Sequence, residues 1–200
     1  MDAREFYRSF VEHTCENTIW SGEQGKGRTY LQVYMTDQAA YTELVNKLII
    51  HGILRRGGYK VQHEYFRVDT IGWQDAGRNS GDDPHSCGLN RHFWDLLAAV
   101  EHENDEADWT DELIKLAHLR CPLKVVVGYN YCDCRQEDMA RLRLAAGWLK
   151  GIRAYDPSSR EEYLVILGNC RAKDLHNPGY SSFDYRGYVY NYESESFERV

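Results

Sequence analysis

The fold of this chain is decided by three consecutive segments: FWDLLAAVEHEN (residues 93–104), WTDELIKLAHLR (109–120) and PLKVVVGYNY (122–131). The first is a short apolar run bounded by turn-forming residues, which predicts a buried strand rather than a helix. The third is apolar along most of its length, which is typical of a strand buried on both faces of a sheet. A strand, a helix and a strand joined by short links predict a right-handed crossover between parallel strands.

The middle segment carries its apolar residues on one side of a helix. These residues are Leu113, Leu116, Ala117 and Leu119. Asp108 and Thr110 are able to cap this helix at its start, and Pro122 cannot continue it at its end. We therefore expect a helix over about residues 109–120 that crosses one face of the sheet.

Two carboxylates stand at the end of the first predicted strand. Glu101 and Glu103 are two residues apart and project from the same face, with His102 on the opposite face. Carboxylates at the exit of an apolar strand cost free energy unless they hold a cation or face water. This pair is therefore the first candidate for a functional site.

Length and composition restrict the class of protein. A chain of 200 residues that is 42% hydrophobic is expected to form one domain over residues 1–200. It contains no apolar run near the ~20 residues of a membrane helix, and its N-terminus lacks a signal-peptide pattern. We expect a soluble, cytoplasmic protein with no membrane partner. The net charge of −7 argues against nonspecific coating of nucleic acid, but not against a nucleic-acid enzyme whose acidic site binds cations.

The N-terminal part predicts two helices and a strand. Residues 4–17 are amphipathic and predict a helix. TYLQVYM (29–35) alternates between apolar and polar residues and predicts a short strand. The side chains expected to point inward are Leu31, Val33 and Met35. Asp37 is then a suitable cap for a helix that runs to about Arg55.

The segment over residues 59–73 is rich in aromatic and β-branched residues and predicts strands, with Asp69 near their end. The polar, glycine-rich residues 74–91 predict a long mobile loop between two antiparallel strands.

After residue 131 the pattern predicts a helix over residues 136–152 and a buried strand over residues 162–169. The tyrosine-rich tail predicts a terminal hairpin that packs its rings on the edge of the sheet. In an alternative interpretation, the aromatic rings beside Arg186 stack on nucleic-acid bases.

Residues 37–131 thus predict a helix, strands bearing Asp69, a long loop, a strand bearing Glu101, a helix and a strand. This half of the chain resembles the PD-(D/E)xK nuclease superfamily. The resemblance implies an α/β fold with a mixed central sheet flanked by helices and a restriction-endonuclease-like core. It implies that Asp69 is the acid of the second core strand and Glu101 the acid of the third. Val68 replaces the family's proline, and Glu103 replaces its commoner lysine, as in Glu-x-Glu variants.

The resemblance implies a metal-dependent nuclease of the restriction or defence type that acts on DNA, or alternatively on RNA. A homodimer is compatible with this expectation. The implied cofactor is Mg²⁺ (or Mn²⁺), which prefers oxygen ligands and activates water for phosphodiester hydrolysis. Asp69 and Glu101 would hold the metal, together with the backbone carbonyl of His102. Glu43, on the preceding helix, is the candidate for a further metal-binding carboxylate.

Two other residues complete the expected catalytic set with Asp69 and Glu101. Glu103 would orient or deprotonate the attacking water. Lys115, on the following helix, would supply the positive charge that the strand lacks, although it also has the pattern of an ordinary surface lysine.

Two alternatives stay open at this point. In the first, the acids are solvated side chains at strand ends. In the second, the protein is a noncatalytic acidic binding or regulatory module that keeps the nuclease-like fold. A zinc site is a separate alternative for four residues. They are His118, Cys121, Cys132 and Cys134. One residue separates the last two, which is fewer than in usual zinc knuckles, so ordinary thiols are the favoured interpretation.

Overall fold

The computed structural model describes residues 1–14, 27–79, 92–104, 109–130, 135–152, 156, 158, 160–169 and 185–200. Its described strands form a seven-stranded mixed sheet in which the spatial order follows the chain order. The strands are β1 Lys60–Tyr65, β2 Val68–Asn79, β3 His92–His102, β4 Leu123–Asn130, β5 Glu162–Asn169, β6 Arg186–Asn191 and β7 Ser196–Arg199. The helices are α1 Ala3–His13, α2 Tyr30–Thr36, α3 Gln38–Glu43, a π-helical segment Leu44–Ile50, α4 His51–Arg56, α5 Trp109–Ala117 and α6 Arg135–Gly151. The predicted α/β class, with a mixed sheet flanked by helices, is confirmed.

The predicted crossover is also confirmed. β3 and β4 pair in parallel, with Val100 opposite Val125, and α5 connects them. β4 and β5 are parallel as well, whereas the other neighbouring strands are antiparallel, including β2 and β3. Thr110 is the second residue of α5 rather than its cap, and Asp108 lies outside the described residues.

Alternation along β4 divides the core into two layers. Val125 and Val127 pack with the α1–α4 helices, whereas Val126 packs with α5 and α6. Every residue of β4 is buried, as predicted for a strand covered on both faces. Since Glu101 lies opposite Val126 and His102 opposite Val127, their side chains face different layers.

The predicted strand over residues 29–35 is wrong, because these residues form α2. Thr29 caps the helix: its hydroxyl accepts from the Gln32 N–H at 3.2 Å, and its own N–H donates to the Gln32 side chain at 2.9 Å. The buried residues Tyr30, Val33 and Tyr34 follow the helical spacing i, i+3, i+4. This capping box and this spacing outweigh the alternation of the apolar residues.

The other N-terminal predictions agree with the structure. α1 is a helix that ends at His13, and residues 15–17 of the predicted span lie outside the described part. Asp37 caps α3 by accepting from the Ala40 N–H at 3.0 Å. The helical run continues through the π-helical segment to Arg56 and stops at Gly58, whose φ of +82° suits glycine.

The C-terminal tail forms the predicted hairpin of β6 and β7. Tyr188 and Tyr190 are buried against the sheet. The burial of these two rings disfavours the alternative interpretation, in which the rings beside Arg186 stack on nucleic-acid bases. The Arg186 side chain is buried as well and donates to Asp138 at 2.5 Å. Within the described ranges, no helix is long and apolar enough to cross a membrane.

Candidate functional site

The candidate site lies where β2 and β3 part. The last backbone pair at this end joins Thr70 to Val100. Beyond it, the N–H of Asp69 donates to Oε2 of Glu101 at 3.3 Å, and the N–H of His102 donates to Oδ2 of Asp69 at 2.9 Å. The two carboxylates thus accept from the backbone of the strands themselves, which fixes them side by side. The structure brings together the two acids expected to hold a metal.

Lys115 joins this pair from α5, which lies on the same face of the sheet. Its Nζ atom lies 2.7 Å from Oε1 of Glu101 and also contacts the carboxylate of Glu112, one helical turn earlier. The same ammonium donates to the backbone carbonyl of Arg67 at 3.0 Å. The Glu101 side chain is 3% exposed and that of Lys115 is 35% exposed, so the lysine covers the deeper acid.

The contact between Lys115 and Glu101 has the geometry of an ion pair, which forms fully when Glu101 is ionised. Oε1 of Glu101 is buried and accepts no hydrogen bond of good geometry from the described residues, although Nζ is within ion-pair distance. Oε2 is the atom that accepts from Asp69. One oxygen of Glu101 is therefore held by backbone and the other is balanced by charge alone.

The environment raises the pKa values of both acids. Burial raises the pKa of Glu101 from 4.5 to about 8; the charges of Asp69 and Glu112 add to this rise, and Lys115 opposes it. Burial also raises the pKa of Asp69, against the opposing hydrogen bond from the His102 N–H. Burial alone would lower the pKa of Lys115, but its contacts with Glu101 and Glu112 raise it.

The donor set fits a hard divalent cation. Three carboxylates (Asp69, Glu101 and Glu112) and the one ammonium of Lys115 leave two negative charges when all are ionised. Carboxylate oxygens are the ligands that Mg²⁺ and Mn²⁺ prefer, and Mg²⁺ commonly takes one or two of them and keeps several waters. Among the described residues, no three His, Cys, Asp or Glu side chains form a complete ligand group. Asp69 and Glu101 would therefore be the protein's share of such a site.

His102 and Glu103 follow Glu101 along the strand. The imidazole of His102 faces the other layer, where Nε2 lies 2.9 Å from the hydroxyl of Tyr129. Burial lowers the pKa of this imidazole to about 3, so the ring is neutral. The N–H of Glu103 donates to the carbonyl of Val127 at 2.9 Å, which continues the parallel pairing past the end of β3. Glu103 is half-buried at the end of this strand.

Glu43 has a different position from the other predicted acids. It ends α3, whose buried residues pack on the face of the sheet opposite α5. There its carboxylate accepts from Lys47 at 2.9 Å, one helical turn later. Glu43 therefore does not belong to the group of described acids that surrounds Lys115.

Two contributors to the site were not predicted from the sequence. One is Glu112, whose i, i+3 spacing from Lys115 is the signal that would have found it. The other is the backbone carbonyl of Arg67, which has no signature in the side-chain sequence.

The four residues of the alternative zinc site are only partly within the described part of the chain, because Cys132 and Cys134 lie outside it. The thiol of Cys121 is buried and donates to the carbonyl of Leu123 at 3.4 Å. Burial raises the pKa of this thiol to about 12, which disfavours the thiolate that a metal ligand requires.

No protein-family model matches this sequence, and no curated protein matches it significantly.

Proposed function

We propose that this protein is a metal-dependent nuclease with a restriction-endonuclease-like core, which hydrolyses phosphodiester bonds of DNA, with RNA as the alternative substrate. The observation that supports this proposal is the convergence of Asp69, Glu101 and Lys115 at the end of the β2–β3 pair. The order of the surrounding elements is helix, three antiparallel strands, helix and parallel strand, as the family resemblance implies.

In this proposal Asp69 and Glu101 hold Mg²⁺ or Mn²⁺. When bound, the ion supplies Lewis-acid polarisation of the phosphoryl oxygen and lowers the pKa of a coordinated water. The N–H of His102 fixes the orientation of the Asp69 carboxylate through its 2.9 Å hydrogen bond. Glu101 has to lose its proton to act as a ligand, because only the carboxylate binds a hard cation well.

Lys115 and Glu103 complete the proposed machinery. The ammonium of Lys115, 35% exposed, is able to turn from Glu101 toward a bound phosphate and to stabilise the negative charge that develops on it. The carboxylate of Glu103, two residues beyond Glu101, would accept a proton from the attacking water or orient it.

A noncatalytic binding module is the alternative function, and three observations favour it. Glu101 is already balanced by Lys115 without any cation, and the described residues contain no complete three-ligand group. The net charge of −7 also suits a basic protein partner.

A cleavage assay distinguishes the two functions. Wild-type protein is incubated with single-stranded DNA, duplex DNA and RNA in Mg²⁺, in Mn²⁺ and in EDTA. We expect cleavage of at least one substrate in the metal buffers, none in EDTA, and a fall of about a hundredfold or more for Asp69→Asn. Asp75→Asn is the matched control, because Asp75 lies on the same strand but pairs with Lys60 at 2.5 Å. Absence of cleavage by wild type in every metal buffer would favour the module.

A further inference from the structure

The β1–β2 hairpin has an unusual tip. Tyr65 pairs with Val68, so Phe66 and Arg67 form a two-residue turn. Their φ angles are 49° and 63°, and turns with two left-handed residues strongly favour Asn and Gly at these positions. A bulky aromatic residue and an arginine are therefore held in a backbone conformation that neither prefers.

The Phe66 side chain is largely outside the packed core. It is 80% exposed. Its ring lies edge-on to Tyr65, with the centroids 4.5 Å apart, and Tyr65 in turn contacts Trp94 at 5.6 Å. Phe66 is thus the exposed end of an aromatic row whose other members pack on the sheet. Strain combined with exposure points to a function for the residue rather than to a contribution to folding.

The tip is connected to the candidate site. Lys115 donates to the carbonyl of Arg67 at 3.0 Å while it pairs with Glu101. Asp69 also follows the turn closely in sequence, two residues after Arg67. A nucleic acid with a phosphate at Asp69 and Glu101 would therefore lie beside the hairpin tip.

We propose that the hairpin tip is a base-stacking element of the substrate site, in which the Phe66 ring stacks on an unpaired base near the scissile phosphate and the Arg67 guanidinium binds a flanking phosphate. This inference rests on the proposed nuclease function. Every base offers a π face to an exposed aromatic ring, and an adjacent guanidinium suits the backbone that carries it. Arg67 also adds a second positive charge, besides that of Lys115, close to a site with three carboxylates.

Binding measurements with Phe66 variants test the inference. The probes are a fluorescein-labelled single-stranded DNA and a duplex with one unpaired base, in EDTA and again in Ca²⁺, and the readout is fluorescence anisotropy. Phe66→Asn and Phe66→Ala are expected to weaken binding by about tenfold or more, whereas Phe66→Trp should retain it. Leu144→Ala is the matched control, because Leu144 is also an exposed apolar residue, at 58%, but lies on α6.

Unfolding in urea separates a binding function from a structural one. Asn tolerates the left-handed conformation, so Phe66→Asn should unfold at the same urea concentration as wild type or a higher one. A lower midpoint would show that the ring supports the fold and would overturn the inference. If Phe66→Asn lost a dimer in sedimentation but kept DNA binding, the tip would be a contact with a second copy of the chain. This result would also overturn the inference.

The inference and the proposed function fail in different ways. If wild type binds and cleaves nucleic acid and Phe66→Asn does so equally well, the stacking element is refuted while the nuclease stands. If wild type neither binds nor cleaves either DNA probe or RNA, both proposals are refuted together.

Discussion

Lys115 and Glu101 lie at ion-pair distance across the interface between α5 and β3, with Nζ 2.7 Å from Oε1. A carboxylate as buried as that of Glu101 is costly to ionise without an adjacent positive charge. The strand itself provides none, since Glu103 occupies the position at which the family resemblance would place a lysine. The crossover supplies the cation instead, because it returns α5 over the end of β3. The positive charge therefore comes from tertiary structure.

The first prediction concerns this displaced lysine. In Lys115→Met, cleavage should fall by about a hundredfold or more, because the charge that would stabilise the phosphoryl group is lost. The affinity for Mn²⁺ should stay equal or increase, since removal of a cation beside Asp69 and Glu101 favours another cation. Single-turnover rates and titration calorimetry measure the two effects separately.

The control for this variant is Lys47→Met. Lys47 also pairs with a helical glutamate, Glu43 at 2.9 Å, but on α3 and the π-helical segment rather than on α5. It should change neither cleavage nor Mn²⁺ affinity. Weaker Mn²⁺ binding in Lys115→Met would contradict the proposed metal position.

The second prediction is a pH dependence of stability. The pKa of Glu101 rises from 4.5 to about 8 on folding, so the folded protein keeps a proton between these pH values that the unfolded chain releases. This contribution to the free energy of unfolding is fully present below pH 4.5 and is lost as the pH rises through about 8. Relative to wild type, Glu101→Gln should become more stable across this window by up to about 1.4 kcal/mol per pH unit.

Urea unfolding in EDTA at several pH values measures this difference. Glu193→Gln is the control, because Glu193 is exposed in the turn between β6 and β7. The stability of this variant should change with pH as that of wild type does. A difference between Glu101→Gln and wild type that does not change with pH would show that Glu101 is ionised in the folded protein throughout the window.

The third prediction links the metal to this proton. Below pH 8, the ion must displace the proton of Glu101, so each Mn²⁺ bound should release about one proton. The affinity should therefore rise by about tenfold per pH unit in this range. Calorimetry in two buffers with different ionisation enthalpies counts the protons. Glu101→Gln should bind Mn²⁺ more weakly than wild type and release no proton on binding. If the variant released as many protons as wild type, Glu101 would be excluded as the ligand.

Local sequence was sufficient to predict the centre of the sheet. The uninterrupted apolar run of β4 and the helical periodicity of α5 admit few other arrangements, and the parallel pairing of β3 with β4 follows from the handedness of crossovers. The structure of residues 29–35 was harder to predict, because the apolar residues there fit both the alternation of a strand and the spacing of a helix. The cap at Thr29 decides between the two, and caps are weaker signals than periodicity.

The site could be predicted only in part. Asp69 and Glu101 were identifiable as acids at the ends of neighbouring strands. The convergence of Lys115 on Glu101 depends on how far α5 reaches over the sheet, which single residues do not encode. The position of Glu43 depends on the packing of α3 on the opposite face, where Lys47 is its partner.

The fourth prediction addresses the proposed base. Glu103→Gln preserves shape and hydrogen bonding but removes the charge, so cleavage should fall by about a hundredfold or more. Substrate binding should stay the same or tighten slightly as repulsion of the phosphates is relieved. Glu103→Lys should retain part of the activity, since lysine is the commoner residue at this position in the nuclease superfamily that the sequence resembles. A variant with changed KM and unchanged kcat would contradict the assignment of Glu103 to the chemical step.

The last prediction concerns the packing that positions Lys115. The first residue of α5, Trp109, lies directly over Gly128 of β4: a Cβ atom built on Gly128 would be 2.5 Å from Cβ of Trp109. Gly128→Ala should therefore push α5 from the sheet and destabilise the protein by about 1–3 kcal/mol. Because Lys115 moves with α5, cleavage should fall even where the variant is fully folded. Gly147→Ala, with open space around its Cβ on helix α6, should be neutral or stabilising. Urea unfolding measures the stability of both variants, and cleavage by the folded protein measures their activity. Full activity in Gly128→Ala would show that the site does not depend on the position of α5.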